Sequence, residues 1–112
     1  MHFVVREGAV AAWVHGSPMR AQPLWPAHAA FMNGLAAEGL VALGGPLGHV
    51  AGGRHEALLV LRAASAEEAR TRLQGDPWIR HHILLIDAIH PWEILLGELP
   101  TEPGAHSADA IP

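Results

Sequence analysis

Three short runs of this chain are apolar on consecutive residues: Leu40-Val-Ala-Leu43, Ala57-Leu-Leu-Val-Leu61 and Ile83-Leu-Leu-Ile86. Side chains along a strand alternate between its two faces, so a strand with one wet face alternates in polarity. These runs do not alternate, and a sheet made from them must be covered on both faces. The chain between them supplies two helices. From Pro26 to about Glu38, His28, Phe31, Met32 and Leu35 fall at i, i+3, i+4 and i+7 and share one face, with Gly39 as a left-handed stop. Pro26 suits the first helical position, where its fixed φ is already helical. Ser65-Ala-Glu-Glu68 is a capping box that opens a second helix, with Ala66, Ala69 and Leu73 inward and Gly75 at its end. A first strand is expected near residues 2–7 with a bulge or bend at Gly8, and a last strand from His82 to about Leu96, where Pro91 argues for a sheet edge.

The resulting order, β-α-β-β-α-β, is the split arrangement of an α+β, ferredoxin-like fold: a four-stranded antiparallel sheet with two helices on one face. One domain is expected over residues 1–96, followed by a mobile Pro/Gly/Ala-rich tail over 97–112. Residues 15–26 carry three prolines and no period, and read as a long lid-like loop. The uncovered sheet face needs a partner, and a second sheet from an identical chain is the simplest one, so a homodimer is expected. A composition that is 50% apolar and 16% charged over 112 residues fits a chain that hides surface in this way.

Charge and composition narrow the partners further. With 7 basic residues against 11 acidic ones and no basic run, nucleic acid and anionic membranes are disfavoured. No apolar run reaches the length of a membrane span, and the first residues lack a signal-peptide pattern. The absence of cysteine rules out disulfides, thiolate nucleophiles and sulfur-ligated metals. A cytoplasmic protein is expected. The nine histidines show no metal-ligand spacing, so neither metal nor other cofactor is expected. His81 and His82 are adjacent and point to opposite faces of a strand, while His49 and His55 fall in a glycine-rich hairpin loop.

Handedness brings distant residues together. With the first strand pointing up and a right-handed crossover, the start of helix one, the end of strand two, the end of helix two and the start of strand four meet at the upper rim. Those positions hold His28, Gly44-Gly45-Pro46, Asp76-Pro77 and His81-His82, with Arg20 and Trp25 on the attached loop and Trp78 alongside. A carboxylate that takes the hydrogen of one imidazole nitrogen leaves the other free as a general base, so His28 and Asp76 form a candidate catalytic pair. Backbone amides around Gly45 and Pro46 are a candidate oxyanion site. Each has a plainer alternative: His28 as a semi-buried structural histidine, Asp76 as a helix cap before Pro77, and Gly-Gly-Pro as strand punctuation. Trp25 and Trp78 flank the rim and suit an aromatic-friendly pocket, with Arg20 and His81 as further binding candidates.

The succession His28, Glu38-Gly39, Gly45-Pro46, Ser65-Ala-Glu-Glu-Ala69 and Asp76-Pro77 resembles the YCII-related family over roughly residues 24 to 96. The resemblance implies a dimeric α/β barrel with a His-Asp site in each protomer, here His28 and Asp76. Some relatives also carry an acidic residue in the loop after Gly-Pro, and the loop from Leu47 to His55 has none. The better understood relatives act on small cyclic or aromatic breakdown products as lyases or dehydrohalogenases. The implied function is a cofactor-independent lyase or isomerase moving a proton on a carbonyl-bearing or aromatic-derived metabolite. The alternative is a dimer of the same fold that binds a small ligand, or serves as an accessory subunit, without turnover.

Overall fold

The structure, a computed structural model, describes residues 1–48, 53–99 and 111. Its elements run β1 (His2–Ala9), a 3-10 turn (Met19–Ala21), α1 (Trp25–Ala37), β2 (Val41–Pro46), β3 (Glu56–Arg62), α2 (Ala66–Leu73), α3 (Pro77–Arg80) and β4 (Leu84–Pro91). The four strands form one sheet in the order β2-β3-β1-β4, with every neighbouring pair antiparallel. This is the α+β, ferredoxin-like arrangement, and β4 is at an edge, as its proline requires.

The helices cover one face. Phe3 and Val5 of β1, Leu59 and Leu61 of β3 and Ile86 of β4 meet Met32, Leu35, Ala69 and Leu73 in the main core. A second cluster at the upper end joins Ala9, Trp13, Trp25, Ala29, Trp78, Ile83 and Leu84. The opposite face bears Leu43, Leu58 and Leu85, which are 50%, 37% and 50% exposed on three different strands. Consecutive apolar residues in these strands therefore do mark two apolar faces, one of them left uncovered by the described residues.

Several local expectations change. The strand irregularity lies not at Gly8 but between Arg6 and Glu7, opposite an extra residue of β4: Arg6 pairs with Ala88 and Glu7 with Ile86. This bulge at Asp87 breaks the two-residue alternation, so Ile86 and Ile89, three apart, both reach the main core. The last strand spans Leu84–Pro91 rather than 82–96, because a short helix precedes it and His82 turns the chain with φ 58°. Ala66 is exposed at the first position of α2, whereas Ala69 and Leu73 are buried. In the capping box the Ser65 Oγ accepts from the Glu68 amide at 3.1 Å, but Glu68 reaches back to Ala64 N at 3.4 Å rather than to Ser65.

His49 and His106 lie outside the described residues, as does most of the expected tail. Within that tail, Ile111 is held by Asn33, whose side chain donates to the Ile111 carbonyl at 2.7 Å and accepts from its amide at 3.0 Å.

Candidate active site

Asp76 sits between α2 and α3 because the residue before a proline is pushed out of the helical region, and its ψ is 124°. In that extended conformation its carboxylate folds over the start of α3, where Oδ1 accepts from the Trp78 amide at 2.9 Å. The same carboxylate faces His28 of α1, whose Nδ1 lies 2.8 Å from Oδ1 and 2.9 Å from Oδ2. The cap and the histidine partner are thus one group. With Nδ1 committed to the carboxylate, Nε2 is the nitrogen left for chemistry. Both side chains are buried: Asp76 has no exposed surface and the His28 side chain retains 9%.

An aromatic wall fixes the imidazole. Trp78 stacks on it with ring centres 3.8 Å apart and planes 6° from parallel. Trp25 leans on both, 5.6 Å from His28 and 5.5 Å from Trp78, and Trp13 meets the Trp78 edge at 5.5 Å. The Arg20 guanidinium lies over Trp25 at 5.6 Å from its ring centre. The loop carrying Arg20 is tied down from within by Gln22. Its side chain accepts from the Val14 amide at 2.8 Å and donates to the carbonyls of Val14 at 2.8 Å and Ser17 at 3.0 Å. Trp78 Nε1 adds a bond to the Pro23 carbonyl at 2.8 Å. Gln22 is only 3% exposed, and Gln22→Ala removes the side-chain partner of three backbone groups, the amide and carbonyl of Val14 and the carbonyl of Ser17. It is expected to cost about 1–3 kcal/mol, read by chemical denaturation.

The remaining candidates lie further out. Pro46 pairs with Ala57, which pairs with Glu7, so the end of β2 is level with the upper end of β1. It is two strands from β1, about 10 Å across the sheet, and Gly45 and Pro46 are exposed. His81 is exposed at the end of α3, and only its backbone amide, donating to the Pro77 carbonyl at 3.0 Å, engages that helix. Among the described residues no three His, Asp or Glu side chains gather as metal ligands, and no helix is long and apolar enough to cross a membrane.

One residue of this region was not singled out from the sequence. Glu7 is 1% exposed, and its Oε2 has no hydrogen-bond partner among the described residues. An unpaired buried oxygen of this kind costs about 1–3 kcal/mol. Burial first, then the negative charges of Asp76 and Asp87, push its carboxyl up from 4.5 to about 8. The signal was present in the alternation of β1, since Phe3, Val5 and Glu7 occupy the same inward face. The unfolded carboxyl ionises near 4.5, while the folded one keeps its proton to about 8. Stability from this group is therefore complete below pH 4.5 and is lost as pH rises towards 8. Urea melts at pH 5 and pH 9 should show this loss in the wild type and a smaller one in Glu7→Gln.

With this geometry in place, comparison with known proteins is informative. The YCII-related domain family matches residues 2–93. Among solved structures, the chain resembles 5-chloro-2-hydroxyhydroquinone dehydrochlorinase (TftG) from Burkholderia phenoliruptrix in complex with 2,5-dihydroxybenzoquinone. The match has a TM-score of 0.58 at 21% identity and covers 83% of this chain and 94% of that one. No curated protein gave a match.

Proposed function

The chain belongs to the YCII-related family, and on that premise we propose that it is a cofactor-independent lyase or isomerase. Its substrate class is a small carbonyl-bearing or aromatic-derived metabolite. The observation that supports this reading is the buried hydrogen bond from His28 Nδ1 to Asp76, at 2.8 Å. Nδ1–H donates to the carboxylate, so Nε2 presents a lone pair able to take a proton from a carbon beside a carbonyl. The imidazolium formed would be stabilised by Asp76, while Trp78 holds the ring plane. Trp25 would offer an aromatic surface to a ring-shaped substrate, and Arg20 a cation for its oxygens. Residues 15–26 would act as the lid, moving to admit substrate to an imidazole that is otherwise nearly enclosed. The expected oxyanion role of Gly45 and Pro46 and the binding role of His81 form no part of this reading, because all three residues are exposed whereas the pair is buried.

The fold shared with the quinone-bound dehydrochlorinase supports a direct test with 2,5-dihydroxybenzoquinone. Saturable quenching of tryptophan fluorescence that weakens in Trp25→Ala is expected. Quenching identical in that variant and the wild type would count against this pocket. The enclosure of the pair also favours a second reading, a ligand-holding dimer without turnover. Binding of hydroxylated quinols and quinones with no chemical change in any of them would decide for it.

We also propose that two chains pair through the face bearing Leu43, Leu58 and Leu85, as in a dimeric α/β barrel. A cytoplasmic homodimer is the working form, in keeping with a chain that has no cysteine. Light scattering should give twice the chain mass for the wild type, and a single chain mass for the double variant Leu58→Glu, Leu85→Glu. A monomeric wild type at micromolar concentration would remove this part of the reading.

A further inference from the structure

We propose that Glu7 is a second proton carrier of the His28–Asp76 site, giving its proton to a substrate oxygen as His28 takes one from the neighbouring carbon. The inference rests on the proposed function and extends it. Three observations on the fold lead to it. Glu7 continues the inward face of β1 set by Phe3 and Val5, on the side covered by the helices. On that face it falls between Val5 of the main core and Ala9 of the upper cluster, which holds Trp25, Ala29 and Trp78, and its carboxyl feels the charge of Asp76. Its Oε2 is fully buried without a hydrogen-bond partner among the described residues, so it is an oxygen still able to engage a ligand.

The neighbouring charges explain how it can hold a proton. Asp76 is engaged by His28 and by the Trp78 amide, and it repels a second negative charge. Asp87 of β4 acts in the same sense and is itself paired with Arg54. Arg54 also approaches Glu56 at 3.9 Å, and Arg6 is exposed, with its side chain on the other face of β1 from Glu7. Among the described residues no cation lies within ion-pair distance of Glu7. Burial together with the two aspartates keeps the acid neutral to about pH 8.

The proton balance then closes without any further reactant. Nε2 of His28 forms an N–H bond as the substrate C–H bond breaks. The released pair becomes a C=C bond, and the carbonyl oxygen takes the Glu7 proton. The enol forms together with an imidazolium and a Glu7 carboxylate, so the net charge of the site, that of Asp76, is unchanged. Charges that appear in pairs are the least costly ones in a buried site. Where the enol is conjugated with a further double bond, return of the imidazolium proton to the far carbon of that system, and of the enol proton to Glu7, shifts the double bond and completes an isomerisation.

The test needs no substrate. Protein carrying 13C-labelled glutamate carboxyls, with the Glu7 signal assigned by its loss in Glu7→Gln, should show Glu7 titrating near pH 8. The midpoint should fall in Asp76→Asn, where the like charge is removed. The His28 ring resonances should shift at the Glu7 midpoint, a change absent from Glu7→Gln. A Glu7 carboxyl titrating near 4.5, or a His28 curve identical in wild type and Glu7→Gln, would overturn the proposal. On a substrate that the protein turns over, Glu7→Gln should lower kcat about 10²-fold or more with little change in KM. Loss of turnover in His28→Ala alongside wild-type turnover in Glu7→Gln would sink the role of Glu7 and leave the proposed function standing. The reverse pattern would sink the proposed function and leave the coupled titration intact.

Discussion

Replacing His28 by alanine is expected to reduce turnover of a hydroxylated quinol or related carbonyl compound by about 10²–10⁴-fold, the usual contribution of a positioned acid or base. The imidazole is held by two carboxylate oxygens at 2.8 and 2.9 Å and by a stacked indole at 3.8 Å, so the substitution removes a base that is fixed in position. Asp76→Asn is the informative companion. Its amide oxygen can still accept from the Trp78 amide and preserve the start of α3, yet a neutral amide does not stabilise an imidazolium. A normal melting temperature with strongly reduced turnover is the expected result. Full activity in both variants would remove the pair from the mechanism.

The largest structural effect is expected from Trp78→Ala. This indole is 1% exposed, stacks on His28, meets the edge of Trp13 and donates to the Pro23 carbonyl. Truncating a buried tryptophan typically costs about 3–5 kcal/mol, part transfer energy and part cavity. For a domain of this size the melting temperature should drop by roughly 10–20 °C. Trp78→Phe separates the contributions, since it keeps an aromatic face for the imidazole while losing the Nε1 bond, worth about 1 kcal/mol, and the packing of the second ring. Calorimetry on the two variants distinguishes a tryptophan that holds the whole upper end together from one that serves the histidine alone.

The pairing of His28 with Asp76 was legible before any coordinates because it follows from connectivity. A right-handed crossover leaves the start of α1 and the turn after α2 few places to go, and both fall at the end where β1 finishes and β4 begins. The Asp-Pro step that argued for a cap also argued against catalysis, and one carboxylate turned out to serve both His28 and the Trp78 amide. Gly45 and Pro46 were placed at the correct height, but the lateral distance of β2 from β1 depends on strand order, which is not written in a strand's own residues. Glu7 was overlooked because it fell at the last residue of the expected strand, beside a bulge or bend expected at Gly8. The strand in fact continues through both to Ala9.

Local patterns in the chain were thus sufficient for the element order, the inward stripe of α1, the caps of α2 and α3, and the presence of a second apolar sheet face. These depend on periodicity and on the conformational limits of proline and glycine, which act within a few residues. Tertiary structure alone decided the bulge at Asp87, the stacking of Trp78 on His28 and the isolation of the Glu7 carboxyl from water. Each of those depends on which strands become neighbours and on what is desolvated when they do, and burial is a property of the assembled layers rather than of any segment within them.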